Sequence, residues 1–562
     1  MLAVLLSLVL LLFPKQVAAI YGPVSVPNNR YGIHIVDTSD LPDLPTLVNS
    51  NGGDWGYVTM VLSDNDRDAG HWQSLFDHMR RTHLIPIIRL ATHVENGLPA
   101  GKAGAWVKPS KDRFYEVVKL LNGLNWPTEN RYIILYNEPN HAKEWGNTLD
   151  PEGYAEILVM FARQLKEANE DFFILPAGLD ASSASDDLSM DEAEYLRRMV
   201  LAKPEILTVI DGWTSHSYPN PGFSGSPYAT GRGTLRTFEW ELNYVQSLGL
   251  SKNLPVFITE TGWMHSEGKV PLRGLLTPQQ VAENIRIAAT VWRDPRIAAV
   301  TPFIFNYQDI PFDHFSWKKL GGKEFYDQYA SYQNLPKVRG TPRQREAYTL
   351  LSDLLPAKLI TGSTYILTSV IQNDGQGILN SQDYTISPSG LIPTLEPGEK
   401  GTLTIRLETP DATQFSVSVT LTHNNEDILL QQRTIELVPP PSLAIRGQLG
   451  WRTTSDAANV SVLVYDKDTL LQKFTGLTMQ NGAILVEGLT DIIPGSPYRV
   501  VILVPGYLPR QVIGALQATK TTIYPKRFLP LDFDNDGAFT FADIKALLPL
   551  SPAVAFTRFF GP

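Results

Sequence analysis

The sequence contains no cysteine, so no disulfide can stabilise any part of its 562 residues. Domains without disulfides must be held together by packing, helped by a metal where one binds. A basic stripe is also missing: 48 Lys and Arg stand against 58 Asp and Glu, for a formal net charge of -10. This balance argues against nucleic acid as a partner. The 43% of hydrophobic residues is enough for a large core and more than one domain.

The first residues form an apolar run, Leu2 to Phe13, that is too short to span a bilayer comfortably. Small residues follow at Val17-Ala18-Ala19, a plausible signal-peptide cleavage point before Ile20. A basic region before the run is missing, since the first positive side chain is Lys15. An uncleaved membrane anchor and a misplaced start codon are therefore the alternatives. We predict that residues 1–19 are a signal peptide, that the protein is secreted, and that its mature chain has no membrane span unless this segment is retained.

Two short apolar runs each end in a glutamate. Arg131-Tyr-Ile-Ile-Leu-Tyr-Asn-Glu138 is followed by Pro139, and Leu254-Pro-Val-Phe-Ile-Thr-Glu260 is followed by Thr and Gly. Both are typical of buried strands, and barrel enzymes place their chemistry at the carboxyl ends of such strands. Glycoside hydrolysis needs two carboxyl groups, one to protonate the leaving oxygen and one to attack the anomeric carbon or activate water. The alternatives are ordinary polar turns, or a divalent-metal site, although hard metals usually recruit more acidic ligands.

Strand and helix patterns alternate from Tyr31 to about Ala357, which predicts parallel βαβ units. The predicted strands are 31–35, 57–62, 84–90, the run ending at Glu138, 172–177, 209–218, the run ending at Glu260, and 300–307. Amphipathic segments between them include residues 71–81, 112–121, 151–168 and 278–293. Eight strands separated by helices predict a (β/α)8 TIM barrel over residues 28–345.

These motifs resemble those of clan A glycoside hydrolases, a large group of retaining (β/α)8 enzymes that includes cellulases and β-glycosidases. The resemblance rests on Asn137-Glu138-Pro139 after the fourth strand and Thr259-Glu260-Thr261-Gly262 after the seventh, and it covers only the barrel. It implies that Glu138 is the acid/base, that Glu260 is the nucleophile, and that Asn137 hydrogen-bonds the sugar 2-hydroxyl. It does not choose among glucans, mannans, xylans and galactosides.

Two further strands carry polar candidates. His216-Ser-Tyr218 resembles the clan's His-x-Tyr, which implies that the tyrosine hydroxyl touches the nucleophile and that the histidine lines the sugar subsite. Alternation along a strand puts both side chains on one face. A strand histidine on its own is more often structural. Arg89, which ends the third apolar run, would be costly to bury unpaired, so we expect a carboxylate neighbour or an active-site role.

Aromatic residues near the strand ends are candidates for platforms under a sugar ring. Trp145 follows Glu138, Trp263 follows Glu260, and Tyr307 ends the eighth predicted strand. Core packing is the alternative for each, since aromatic side chains dominate buried area in proteins.

The pattern changes after about residue 357 to short alternating strands with Gly, Pro and Asn turns. Residues 358–438 predict an immunoglobulin-like β-sandwich and residues 442–526 a second sandwich, separated by the stiff spacer Pro439-Pro-Pro441. Either sandwich could bind carbohydrate, but a spacer role is the default expectation, because neither shows a cluster of exposed aromatics.

The final segment, residues 527–562, contains an EF-hand-like calcium loop. Its predicted Ca²⁺ ligands are Asp532, Asp534, Asp536, the carbonyl of Ala538, Thr540 and Asp543. With Asp at the last position, the loop resembles a dockerin calcium repeat, which implies docking onto a cohesin or a cell-surface partner. Dockerins carry two such repeats and this chain shows one, so calcium binding is the firmer expectation. An acidic turn without metal is the alternative.

The residues together predict a secreted retaining β-glycosidase that acts on a polysaccharide or oligosaccharide through a glycosyl-enzyme, with no cofactor in catalysis. Retention predicts carboxyl groups about 5 to 5.5 Å apart, against about 6.5 to 9.5 Å for inversion. The alternative is a barrel that binds glycans without cleaving them, inside a modular extracellular or cell-surface protein. The presence of both Glu138 and Glu260 favours the enzyme.

Overall fold

The computed structural model describes residues 20–95, 104–554 and 556. The predicted signal peptide lies outside the described residues. The chain divides into two compact units, Met1–Glu346 with Gly375–Gly377, and Ala347–Asp374 with Ile378–Pro562. No helix in the described ranges has both the length and the apolar character needed to cross a membrane.

The first unit alternates strands with helices. Its strands are β1 (Gly32–His34), β2 (Gly56–Leu62), β3 (Leu84–Leu90), β4 (Val94–Glu95), β5 (Ala105–Trp106), β6 (Arg131–Leu135), β7 (Phe172–Pro176), β8 (Trp213–His216), β9 (Val256–Glu260) and β10 (Ile297–Val300). Its α-helices are α1 (Pro45–Val48), α2 (Ala69–Arg81), α3 (Lys111–Gly123), α4 (Pro151–Ala168), α5 (Glu192–Ala202), α6 (Ile206–Val209), α7 (Thr237–Ser247), α8 (Pro278–Trp292) and α9 (Asp327–Gln333). Short 3-10 helices cover Pro23–Ser25, Thr38–Asp43, Ala142–Glu144 and Asp313–Phe315.

Eight of these strands form a closed parallel ring. One sheet has the order β1-β2-β3-β6-β7 and another the order β8-β9-β10. The parallel bridges Tyr31↔Val300 and Asp180↔His216 join the two sheets at both seams. This is the arrangement of a (β/α)8 barrel, with the β4-β5 hairpin added after the third strand of the ring.

Strand alternation separates the interior of the ring from its helical coat. Tyr132 and Ile134 of β6 point into a buried cluster with Phe173 and Phe257. The alternate residues of β6 pack instead in the cluster beneath the helices. Both faces of the strand are therefore covered, which explains its uninterrupted apolar sequence.

The helices begin where the sequence supplies caps. The Asp68 side chain accepts from the N–H of His71 at the start of α2. Thr277 and Gln280 form a capping box at the start of α8, and Pro278 occupies its first turn. These caps supply partners for backbone N–H groups that have none within the helix.

Two strand predictions had wrong bounds: the sixth was too long at both ends, and the eighth was placed too late in the chain. In place of a strand from Val209, the short helix α6 precedes a strand that begins only at Trp213. The eighth strand lies before Pro302, at Ile297–Val300, and not at residues 300–307. Proline lacks the N–H that a regular ladder requires, and the apolar residues after Pro302 continue in irregular backbone that keeps single hydrogen bonds to its neighbours, from Phe303 to the carbonyl of Thr261 and from Phe305 to that of His34.

The described part of the second unit is built from mostly antiparallel sheets, with two parallel pairs, β12–β18 and β19–β25. Its strands are β11 (Tyr348–Leu350), β12 (Lys358–Ile360), β13 (Thr364–Asn373), β14 (Thr385–Ser387), β15 (Gly390–Leu391), β16 (Lys400–Glu408), β17 (Gln414–His423), β18 (Glu426–Val438), β19 (Ser442–Arg446), β20 (Ala457–Asp466), β21 (Thr469–Met479), β22 (Ala483–Val486), β23 (Pro497–Val504), β24 (Tyr507–Ala515) and β25 (Lys520–Ile523). The helix α10 spans Phe541–Leu547.

These strands form two pairs of sheets, each pair around its own core. The first pair has the orders β11-β13-β16-β15 and β12-β18-β17-β14. The second pair has the orders β22-β19-β25 and β21-β20-β23-β24. Strand β11 begins at Tyr348, before the predicted start of the first β domain at residue 358.

Candidate active site

Glu260 is the last residue of β9 and is buried, with an exposed fraction of 7%. The Tyr218 hydroxyl donates to its Oε2 over 3.1 Å, and the Arg89 guanidinium donates to its Oε1 over 3.2 Å. Burial raises the pKa of this carboxyl, but the charges of His216 and Arg89 and the hydrogen bond from Tyr218 outweigh burial and lower the pKa overall. Glu260 is therefore held in its ionised form, as a nucleophile requires.

Glu138 lies just beyond β6, where the chain turns sharply. Its φ is 30°, in the left-handed region, and its N–H donates to the carbonyl of Gly178 over 3.1 Å. Its Oε1 lies 2.8 Å from Nδ1 of His216. The side chain retains an exposed fraction of 19%, so one of the two carboxyl groups is open to a ligand while the other is enclosed.

His216 lies between the two glutamates. Its Nδ1 is also 3.8 Å from Oε2 of Glu260. Burial lowers the pKa of the imidazole, but the charge of Glu260 and the hydrogen bond to Glu138 outweigh it and raise the pKa overall. The ring fits only because residue 178 is glycine: a Cβ there would lie 2.2 Å from Cδ2 of His216. Sequence reasoning did not identify Gly178.

The carboxylate oxygens of Glu138 and Glu260 and a ring nitrogen of His216 all lie within 4.8 Å of one another. Such a triplet could ligate a metal ion. However, Arg89 places a permanent positive charge 3.2 Å from Glu260, which disfavours a cation at this point. The site therefore places two carboxyl groups close together beside a fixed positive charge.

Arg89 also orders Asn137. Its guanidinium donates to Oδ1 of Asn137 over 2.5 Å, in addition to its bond with Glu260. The side chains from β3, β6 and β9 therefore form one hydrogen-bonded set. The structure thus brings together six of the predicted site residues: Asn137, Glu138, His216, Tyr218, Arg89 and Glu260.

The aromatic candidates are placed differently. Trp145 is 1% exposed and packs edge-to-face against Tyr154 in the core. Trp263 is 3% exposed, and its indole N–H donates to the carbonyl of Gly225. Neither ring offers a free face, so the platform prediction is corrected for both tryptophans to core packing. Tyr307 is partly exposed, with its ring edge-to-face with Phe312.

Other groups near the site were missed from the sequence. His34, at the end of β1, is fully buried, and its Nδ1 lies 3.9 Å from Oε1 of Glu260. Burial, followed by the charge of Arg89, lowers the pKa of His34 to about 3, so the ring is neutral at physiological pH. Phe303 packs edge-to-face on His34 with ring centroids 5.3 Å apart. A lone histidine in an apolar strand gives no sequence signal of this kind.

The predicted calcium loop forms a compact acidic turn in the second unit. Carboxylate oxygens of Asp532, Asp534 and Asp536 lie within 4.8 Å of one another. Oδ2 of Asp532 accepts from the N–H of Gly537, which has a φ of 88°. Oδ1 of Asp532 is buried and has no hydrogen-bond partner among the described residues. Burial, and then the charges of the neighbouring aspartates led by Asp543, raise the pKa of Asp532, which a bound cation would relieve.

The last ligand position fits less directly. Both carboxylate oxygens of Asp543 accept backbone N–H groups, from Phe533 and from Thr540. The Thr540 side chain caps α10 by accepting from Ala542. The three leading aspartates therefore fit a Ca²⁺ site, while Asp543 and Thr540 are engaged in holding the loop against the helix.

No family model and no curated protein matches the sequence. Among solved structures, the chain is similar to a family 39 glycoside hydrolase from the gut symbiont Bacteroides cellulosilyticus WH2, with 12% identity, a TM-score of 0.37, and coverage of 87% of this chain and 83% of that one. It is similar to a β-mannanase from Thermomonospora fusca, with 12% identity, a TM-score of 0.34, and coverage of 54% and 87%. It is also similar to an endo-β-1,4-glucanase from Xanthomonas axonopodis pv. citri, with 12% identity, a TM-score of 0.36, and coverage of 54% and 98%. At these values the function has to be argued from the chain's own side chains.

Proposed function

We propose that the barrel unit is a retaining glycosidase that cleaves β-glycosidic bonds in an oligosaccharide or polysaccharide. One observation carries the proposal. Two glutamates from different strands of the ring bring carboxylate oxygens within 4.8 Å of each other, one of them enclosed by positive and hydrogen-bonding groups and the other open to a ligand. Such a difference in environment separates a nucleophile from an acid/base.

In the first step, Glu260 attacks the anomeric carbon and forms an ester bond to the sugar. The bond from that carbon to the leaving oxygen breaks, and Glu138 transfers its proton to that oxygen. The Tyr218 hydroxyl and the Arg89 guanidinium hold the attacking carboxylate in place.

In the second step, Glu138 accepts a proton from water, whose oxygen attacks the same carbon. The ester bond to Glu260 breaks, and the sugar leaves with its original configuration. His216 is hydrogen-bonded to Glu138, and this bond changes in strength as the carboxyl loses its proton in the first step and regains one in the second. No metal or organic cofactor is needed in either step.

The second candidate function is a barrel that binds glycans without cleaving them. The same polar set could hold a sugar by hydrogen bonds alone. Arg89 and Tyr218 converging on the Glu260 carboxylate favours the enzyme, because a binding site has no need of a carboxylate enclosed and kept ionised beside a second one.

The test is hydrolysis of 4-nitrophenyl β-glycosides and β-linked polysaccharides by the full chain. Glu260→Gln should abolish hydrolysis, and Glu138→Ala should retain activity only on substrates with good leaving groups. Glu156→Gln, an exposed glutamate on α4, is the matched control and should retain full activity. If NMR shows that the configuration at the anomeric carbon is inverted, the retaining scheme is wrong. Sugar binding without turnover across the panel would favour the second candidate function.

We further propose that the acidic loop of the second unit binds Ca²⁺ through Asp532, Asp534 and Asp536, with the Ala538 carbonyl, Thr540 and Asp543 completing it after a local shift. Calcium would fix the loop against α10. Secretion is proposed with it, because the millimolar calcium outside cells suits such a loop. The proposal does not include docking onto a cohesin, because dockerins carry two such repeats and the sequence carries one.

A further inference from the structure

The segment after the eighth strand of the ring presents an exposed aromatic ring at the edge of the site. Phe312 is 38% exposed, and its inner edge packs against Phe303 with ring centroids 5.1 Å apart. Phe303 in turn contacts His34, which lies beside the Glu260 carboxylate. A line of edge-to-face aromatic contacts therefore leads from the nucleophile to the solvent-exposed Phe312.

Phe312 is held on an ordered segment. Two residues further on, Nδ1 of His314 lies 2.7 Å from the carbonyl oxygen of His265, and its Nε2 lies 2.9 Å from the carbonyl oxygen of Val270. The neighbouring buried Asp313 accepts the N–H of Lys269. The loops after β9 and β10 are thereby joined, and Phe312 is fixed in position before any ligand arrives.

The joined loops carry further exposed apolar side chains. Val270 and Leu272 follow β9, and Ile310 precedes Phe312 after β10. A rigid, exposed and largely apolar rim next to a polar site is costly to leave in water, and a sugar offers an apolar C–H face that such a rim can cover.

The position of the rim in the ring indicates which part of a substrate it meets. Glu138, the proposed acid, lies after β6, and the leaving group must lie beside it. The rim comes from the loops after β9 and β10. Along the ring from β6, the strands β7 and β8 come first, then β9, which carries the nucleophile, and then β10. The sugar that the rim meets therefore belongs to the part of the substrate that stays on the enzyme in the glycosyl-enzyme.

We infer that Phe312 is the platform of a second sugar subsite, on the retained side of the cleaved bond. The inference rests on the proposed glycosidase function. It assigns the substrate as a chain with at least two sugar units on that side, and not a single terminal sugar. Phe312 acts in binding and specificity and takes no part in the bond-breaking steps.

The experiment compares 4-nitrophenyl β-glycosides of glucose, mannose, xylose and galactose with those of the corresponding β-1,4-linked disaccharides. The wild type should have a higher kcat/KM on one disaccharide glycoside than on its monosaccharide counterpart. Phe312→Ala should reduce that advantage, the ratio of the two kcat/KM values, by about 3- to 10-fold, the range of a lost aromatic contact. Phe312→Trp should preserve it, and Tyr115→Ala, an exposed tyrosine on α3, is the control.

An equal loss on both substrates, or an unchanged advantage in Phe312→Ala, would overturn the inference. Calorimetric titration of Glu260→Gln with β-1,4-linked hexasaccharides, with and without Phe312→Ala, distinguishes failure of the proposed glycosidase function from failure of the proposed subsite. If the wild type hydrolyses nothing, the proposed function fails, and weakened hexasaccharide binding in the double variant still shows that Phe312 contacts sugar. Unchanged binding in the double variant overturns the subsite as well.

Discussion

The Tyr218 hydroxyl donates to Oε2 of Glu260 over 3.1 Å. This hydrogen bond links the segment after the sixth strand of the ring to the end of the seventh strand, at the centre of the site. Burial raises the pKa of Glu260, and this hydrogen bond acts together with the charges of His216 and Arg89 to lower it overall.

Removing that hydroxyl should shift the acid side of the pH–activity profile. A carboxyl with a lowered pKa is active above that pKa and loses activity as pH falls through it. Tyr218→Phe raises the pKa of Glu260, so the acid limb of kcat/KM should move to higher pH, with kcat falling about 10-fold or more because a hydrogen bond to a charged group is lost. The measurement is a pH–rate profile on an aryl glycoside. An acid limb that stays where it is in the wild type would assign that limb to another group.

Gly178 should tolerate no side chain, because a Cβ would lie 2.2 Å from the His216 ring. We expect Gly178→Ala to displace that ring from Glu138 and to destabilise the barrel by about 1 to 3 kcal/mol through overpacking. The measurements are kcat and thermal unfolding. Gly123→Ala, where an added Cβ meets nothing within 4 Å, is the matched control and should leave both unchanged. Wild-type kcat in Gly178→Ala would show that the ring has room to move.

A buried pair of glutamates outside the site should make stability depend on pH. Glu192 of α5 is fully buried, and burial, followed by the charge of Glu241 on α7, raises its pKa well above the ordinary value. Arg232, whose Nε lies 3.4 Å from Glu192, is the nearby cation, and Asp180 adds negative charge. A raised carboxyl pKa gives stability that is present at low pH and lost as pH rises through it.

Because its pKa is raised, Glu192 binds a proton more readily in the folded protein, and Glu192→Gln replaces this carboxyl with an amide that does not titrate. Between pH 5 and pH 8, the wild-type Tm should therefore fall more than the Tm of the variant, by about 2 °C or more. The comparison of slopes, measured by calorimetry, is independent of any fixed loss of stability in the variant. Glu156→Gln should keep the wild-type slope of Tm against pH. Equal slopes for the wild type and Glu192→Gln would show that Glu192 does not make stability depend on pH.

Calcium should stabilise the second unit. At a free concentration about 100 times the Kd, binding to the folded loop adds about 2.7 kcal/mol to its stability, so the Tm of that unit should rise with calcium and fall with EDTA. Asp532→Asn should abolish the shift, because Asp532 carries the buried, unpartnered oxygen. Asp468→Asn, a fully exposed aspartate in the β20–β21 turn, should retain it. A calcium shift that persists in Asp532→Asn would place the ion elsewhere.

The sequence located the two glutamates because each ends an apolar strand, and strands of a parallel ring bring their carboxyl ends to one edge. It placed His216, the last residue of β8, and Tyr218, two residues beyond it, by alternation along a longer predicted strand. It could not place Trp145 and Trp263, since nearness along the chain to a glutamate does not say whether a ring faces the site or the core. Phe303 and Phe312 follow Pro302 in irregular backbone that has no periodicity to read. Glu192 and Glu241 pair across distant helices, a relationship that only tertiary packing creates.

Glu138 follows a strand of one sheet and Glu260 ends a strand of another, and the two sheets meet at the Tyr31–Val300 and Asp180–His216 seams. The distance between the two carboxylates is therefore a property of the closed ring and of neither sheet alone. A chain interrupted before β10 would contain both glutamates without setting their separation. Hydrolytic activity on an identified substrate would therefore appear only after the ring has closed. The time course of regained activity during refolding would measure how fast the last strand pairs with the first.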